Sequence, residues 1–178
     1  MKKILILLFV SYTFTVQSQS IDQAKSYIRF EINNMLLGSV DGTIKGMSGT
    51  FDFNQNNLAS SKFDVTIRPE TIDTRNEKRD EHLRNEDFFH VEKYETIRFT
   101  SKEIQKDGSN FVAIGNLTVL GVTNEVKIPF TITQFEGKNK FEGEIEVNRF
   151  DYGLGTEAYS GTIMVGKRAK IKIVCVSQ

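Results

Sequence analysis

Val126-Lys127-Ile128-Pro129-Phe130-Thr131-Ile132-Thr133 puts Val, Ile, Phe and Ile on one parity and Lys, Pro, Thr and Thr on the other. Successive side chains leave a strand on opposite faces, so this run reads as a strand with one apolar and one wet face. The same alternation recurs in both directions along the chain. Ile28, Phe30 and Ile32 alternate with Arg29, Glu31 and Asn33, and Phe63, Val65 and Ile67 with Asp64, Thr66 and Arg68. Ile97 and Phe99 alternate with Arg98 and Thr100; Phe141, Ile145 and Val147 oppose Glu142, Glu144 and Glu146; Ile171, Ile173 and Cys175 oppose Lys170, Lys172 and Val174. With Thr43–Phe53 and Asn110–Leu120 the count reaches about eight strands. One-sided strands indicate an antiparallel sheet with a single buried face, not a parallel sheet covered by helices. The clusters Asn54-Gln55-Asn56-Asn57, Lys106-Asp107-Gly108-Ser109 and Glu136-Gly137-Lys138-Asn139 supply turns between them. Eight such strands form a sandwich or close into a barrel that is either packed or able to hold one small ligand.

The chain has 178 residues, enough for one domain with its own core. Residues 1–18 read as a cleaved signal peptide: Lys2-Lys3, then the apolar run Ile4–Val10, then Val16-Gln17-Ser18 as a cleavage site. The run is too short for a membrane span of roughly 20 residues. Residues 19–178 are then a single domain without an integral membrane segment, placed in the periplasm or outside the cell. Loss of Lys2 and Lys3 leaves 21 basic against 23 acidic residues, so no basic excess points to nucleic acid. Cys175 has no intrachain partner and lies in the apolar run Ile173–Val176, which favours burial over catalysis.

One segment departs from the alternation. Arg75–Asp87 is densely charged and reads as a short helical insertion near residues 75–87, with Thr74 and Glu77 spaced for a capping box. Asp80 and Arg84 stand one turn apart and can pair. Leu83, Phe88 and Phe89 are its apolar residues and close one end of the sheet, as a lid over a ligand or as a plug over a packed core. His82 and His90 lack further ligands at zinc spacing, so no metal is expected. Asp73, Asp80, Glu81, Glu86 and Asp87 read as a solvated helix face with capping residues. No nucleophile elbow, phosphate-binding loop or dinucleotide fingerprint occurs, and neither catalytic residues nor a cofactor are expected.

Four ordered motifs resemble the YceI-like family of lipocalin-like bacterial barrels that bind polyisoprenoid lipids. They are Ser26–Ile32 with Val40–Thr43 and Gly49–Phe53; Asp73-Thr74, Arg79-Asp80, His82-Leu83 and Asp87-Phe88-Phe89; Gly115–Thr123; and Asn148–Gly155. Glu95 and Gly46–Gly49 depart from the family's usual pattern. The resemblance implies an all-β, eight-stranded antiparallel lipocalin-like barrel that sequesters an isoprenoid lipid, polyprenyl or quinone-type, for transport or storage. Strand parity then offers Phe30, Ile32, Phe63, Val65, Ile67, Ile97, Phe99, Leu117, Val119, Ile128, Phe130, Phe141 and Ile145 to the tail, with Leu83, Phe88 and Phe89 over one end. An enzyme acting on such a lipid and a packed barrel used as an interaction module stand as the alternatives. A homodimer is left open.

Overall fold

The alternation folds as a sheet with one apolar face turned inward. In the computed structural model, which describes residues 19–34, 38–155 and 165–178, ten strands form one antiparallel sheet. They are β1 (Gln19–Ser20), β2 (Tyr27–Asn34), β3 (Gly38–Ile44), β4 (Ser48–Asp52), β5 (Lys62–Ile67), β6 (Ile97–Asp107), β7 (Asn110–Val119), β8 (Val122–Phe135), β9 (Lys138–Asn148) and β10 (Val165–Val176). The hydrogen-bonded order is β1-β4-β5-β6-β7-β8-β9-β10-β2-β3. The proposed signal peptide, residues 1–18, lies outside the described residues.

Two expectations are corrected here. The sheet has ten strands rather than eight, and it is a strongly curled half-barrel whose ladder does not close. One added strand is the short β1, paired with β4; the other comes from Thr43–Phe53, which reads as one strand but is cut at Lys45-Gly46-Met47. Gly46 takes φ +71°, a left-handed conformation that favours glycine. The two halves are therefore sent far apart: β3 is one edge of the ladder, and β4 lies next to the other edge, β1. The free edge of β3 is covered by the segment after β5. Thr43 N–H donates to the Asp73 carbonyl (2.9 Å) and Asp73 N–H to the Thr43 carbonyl (3.0 Å). The other end is tied to β10, where Asp22 N–H donates to the Val176 carbonyl (2.8 Å) and Gln178 N–H to that of Ser20 (2.9 Å). Each edge is thus tied down at one point along its length.

The helical insertion is shorter than the sequence suggests: α1 spans Glu77–Arg84, not residues 75–87. Its N-cap is Asn76, whose side chain accepts from Arg79 N–H (3.1 Å), so the Thr74–Glu77 capping box does not form. Arg75, at φ 63°, lies just before the cap and outside the helix.

The core is densest at one end of the curl. Phe51, Phe53, Phe63, Phe111, Phe130 and Phe141 pack ring against ring, with centroids 4.6 Å apart for Phe51–Phe141 and 5.0 Å for Phe53–Phe111. Phe51 and Met47 are 2% and 1% exposed. Beside this cluster, Gly49 has φ +120°, and a Cβ there would lie 2.1 Å from the Asp64 carbonyl oxygen. Gly49→Ala is therefore expected to lower stability by more than about 1 kcal/mol, measured by urea unfolding.

Candidate ligand-binding cavity

The inward faces enclose a cavity of about 430 Å³, within the roughly 300–1,000 Å³ range of small-molecule sites. Phe30, Ile32, Phe63, Val65, Ile67, Ile97, Phe99, Leu117, Val119, Ile128, Phe130, Phe141 and Ile145 all line it, as do Leu83, Phe88 and Phe89 from the insertion. Period-2 alternation brings the strand residues together because no bulge falls within the stretches that carry them. Where one does fall, parity changes: the register of β6 shifts between Ser101 and Glu103, which turns Ile104 inward.

The cavity is polarised along its length. The phenylalanine cluster seals one end, through Phe51, Phe63, Phe130 and Phe141. At the other end stand α1, the turn Arg149–Tyr152 that follows β9, and the start of β10. Here Arg79, His82, Arg149 and Tyr152 join the lining. A Cβ on Gly155 would lie 2.8 Å from both Arg149 Nη1 and the Phe88 ring, and Phe88 meets His82 edge to face at 5.2 Å. The helix and the turn therefore form one continuous rim.

Polar groups at this rim are held firmly. Asp80, expected on a solvated face and paired with Arg84, is instead 5% exposed. Its carboxylate accepts from Thr74 N–H (3.0 Å) and from the Thr74 hydroxyl (2.5 Å). A helix-face pattern places Asp80 outward only if the helix lies on the surface. Here the backbone of Thr74 returns beneath α1 with a donor to satisfy. Arg84 donates to the carbonyls of Glu70 (3.0 Å) and Ile72 (3.3 Å) rather than to Asp80. Arg79 donates from Nε to Thr74 Oγ1 (2.7 Å) and from Nη2 to the Thr74 carbonyl (2.8 Å). The insertion is a fixed cap.

Arg149 and Tyr152 are cavity-lining residues that sequence reading passed over. Arg149 is 5% exposed and donates to the carbonyls of Leu154, Gly155, Val165 and Gly166 at 2.8–3.4 Å. Burial lowers its pKa from the usual arginine value, and the group stays charged. Burial likewise raises the Tyr152 phenol. The Asn148–Gly155 motif held the only signal, an arginine and a tyrosine at the end of an alternating strand. Ile28, Val40, Ile44, Met47, Ile72, Val147, Ile171 and Ile173 also line the cavity.

Among the described residues no three His, Cys, Asp or Glu side chains converge on a metal position. Cys175 lines the cavity and is buried, which pushes its thiol up to about 12. Folding thus favours the protonated thiol, and that contribution is present below the unfolded thiol pKa and lost as pH rises towards 12. Cys175 is expected to resist alkylation by iodoacetamide at pH 8 in the folded protein and to react once urea unfolds it.

A sequence profile of the YceI-like domain matches residues 19–176. A UPF0312 protein of Photorhabdus laumondii is 38% identical over 118 residues, 66% of this chain and 61% of that protein, so the chain spans less than two thirds of that relative. Among solved structures, Burkholderia cenocepacia BcnA superposes with a TM-score of 0.82 at 24% identity, covering 89% of this chain and 99% of BcnA. A polyisoprenoid binding domain from Saccharophagus degradans gives 0.71 at 13% identity, covering 89% and 97%. At these identities the structural likeness is one of fold. The profile match over nearly all the described residues shows that the chain belongs to the YceI-like domain family.

Proposed function

We propose that this protein binds the hydrocarbon tail of an isoprenoid lipid in its cavity and acts as a carrier or store, without catalysing a reaction on it. The observation that carries this reading is the cavity of about 430 Å³ with an almost wholly apolar wall, sealed by aromatic rings at one end. Such a wall makes no directional demand on its guest. At about 0.8 kcal/mol per buried carbon, each five-carbon unit contributes on the order of 3–4 kcal/mol. A few units therefore outweigh an association cost of roughly 4–15 kcal/mol. That a solved structure of the same fold is described as a polyisoprenoid binding domain supports an isoprenoid as the guest.

The polar groups support binding over catalysis. Asp80 is committed to Thr74 and Arg149 to four carbonyls, which leaves neither as an acid–base group. The basic start and short apolar run of residues 2–10 support export, so the carrier is placed in the periplasm or outside the cell. The described residues contain no helix long and apolar enough to cross a membrane.

Protein purified without detergent is expected to carry, or to take up when offered, an isoprenoid seen by native mass spectrometry. An empty protein that refuses added isoprenoid quinone would end the proposal. Ile145→Trp places a bulky ring in the cavity and is expected to cut lipid loading by about tenfold or more while circular dichroism stays unchanged.

A further inference from the structure

Val122 and Phe135 are the exposed large apolar residues among those described, each at 41%. They stand at opposite ends of β8, and each flanks a two-residue turn. Leu120-Gly121 joins β7 to β8 with φ of 51° and 75°, and Glu136-Gly137 joins β8 to β9 with the same pair of angles. Such turns put both central residues in the left-handed region, where Asn, Asp or Gly is favoured at the first. Beyond the sealed end that position carries Glu136, whose carboxylate pairs with Lys25. At the mouth it carries Leu120, a bulky apolar residue in a conformation that disfavours it. Nothing in the turn itself calls for leucine.

The surroundings of this tip are of one kind. The Tyr94 ring lies against it, since a Cβ on Gly121 would be 3.3 Å from Tyr94 Cε1. Asn124 Nδ2 donates to the Asp151 carbonyl (2.9 Å), which places the start of β8 beside the turn that carries Phe150. Lysines sit over both rings, Lys93 Nζ 5.2 Å from the Tyr94 centroid and Lys167 Nζ 5.7 Å from that of Phe150. Phe135 also has lysines over its ring, Lys25 and Lys140, but their ammonium groups pair with Glu136 and Glu142. Just behind the tip, Val119 is 8% exposed and lines the cavity. The exposed ridge is thus continuous with the apolar wall.

The geometry points to a bilayer-docking ridge: Leu120 and Val122, with Tyr94, Phe150, Lys93 and Lys167 beside them, set the mouth of the cavity on a membrane surface. Hydrocarbon takes the aliphatic tip, the interfacial region takes the rings, and the ammonium groups reach lipid phosphates. This deepens the reading given above and rests on it, since a hydrocarbon guest leaves and enters bilayers rather than water. Glu92, Glu95 and Asp151 are exposed beside these residues and keep the ridge from being strongly basic. Contact is therefore weak, reversible and driven by the aliphatic tip more than by charge.

The chain contains no tryptophan, so Val122→Trp and Phe135→Trp each carry a single reporter, one at each end of β8. Protein purified from cells without detergent is mixed with vesicles of equimolar phosphatidylcholine and phosphatidylglycerol, with and without brominated acyl chains. Val122→Trp fluorescence is expected to shift to the blue and to be quenched by the brominated lipid; Phe135→Trp is expected to do neither. Val122→Asp should lower the fraction of protein that sediments with the vesicles several-fold, and raised salt should change it little. Failure of the unaltered protein to sediment with vesicles overturns the ridge. So does a response of Phe135→Trp in place of Val122→Trp, a bound fraction that Val122→Asp leaves unchanged, or binding abolished by salt. Uptake of geraniol added in solution is measured alongside on the unaltered protein. Docking without that uptake overturns the carrier reading and leaves the ridge; uptake without docking overturns the ridge alone. Should thermal melting show that Val122→Asp does not fold, the two tryptophan variants decide.

Discussion

Ring packing between opposite walls of the sheet sets the shape of this molecule. Phe51, Phe63, Phe111, Phe130 and Phe141 come from β4, β5, β7, β8 and β9, and Phe53 follows β4 directly. Ring contacts at 4.6–6.4 Å, most of them edge to face, hold those strands at the separation that aromatic rings fill. Farther along the same strands the inward residues include Val65, Leu117, Val119, Ile145 and Val147. Those shorter side chains do not span the width the rings impose. Interiors normally pack to near-crystalline density, and the space left between these side chains is the cavity, with Phe30 and Phe99 also on its wall.

The insertion after β5 turns that space into a vessel with a defined mouth. Its order does not come from α1 alone, which has eight residues and little apolar surface. Buried Thr74 and Asp80 and half-buried Arg79 form one hydrogen-bonded network, and the Thr43–Asp73 pair ties it to the edge of β3. A network of this kind is rigid when complete. A guest in the proposed site would therefore meet preset groups, and the ordering of α1 need not be supplied at the moment of binding.

Much of this was legible in the sequence. Period-2 alternation assigns each inward residue locally, so one strand's parity holds wherever the strand ends up, and the lining follows. What escaped depends on tertiary placement. Nothing local in Thr43–Phe53 says that Gly46 sends its halves far apart in the ladder, although the glycine marks where a break is allowed. Asp80 sits among charges on a helix, and only the return of Thr74 beneath it makes it an interior residue. Arg149 looks like a strand-end surface residue, and four carbonyls from two separate segments make it part of the wall. The short stretches that define sites are those where local pattern and long-range contact disagree.

The interior is an open apolar tube running from the phenylalanine cluster to the Arg79–Arg149 rim. A crystal structure of the protein purified from cells without detergent is the sharpest check on this. Continuous tubular density is expected along Phe63, Val65, Phe99, Ile145 and Ile171, ending beside Arg79. An interior closed by side-chain repacking, or filled by ordered water in place of a chain, would contradict it.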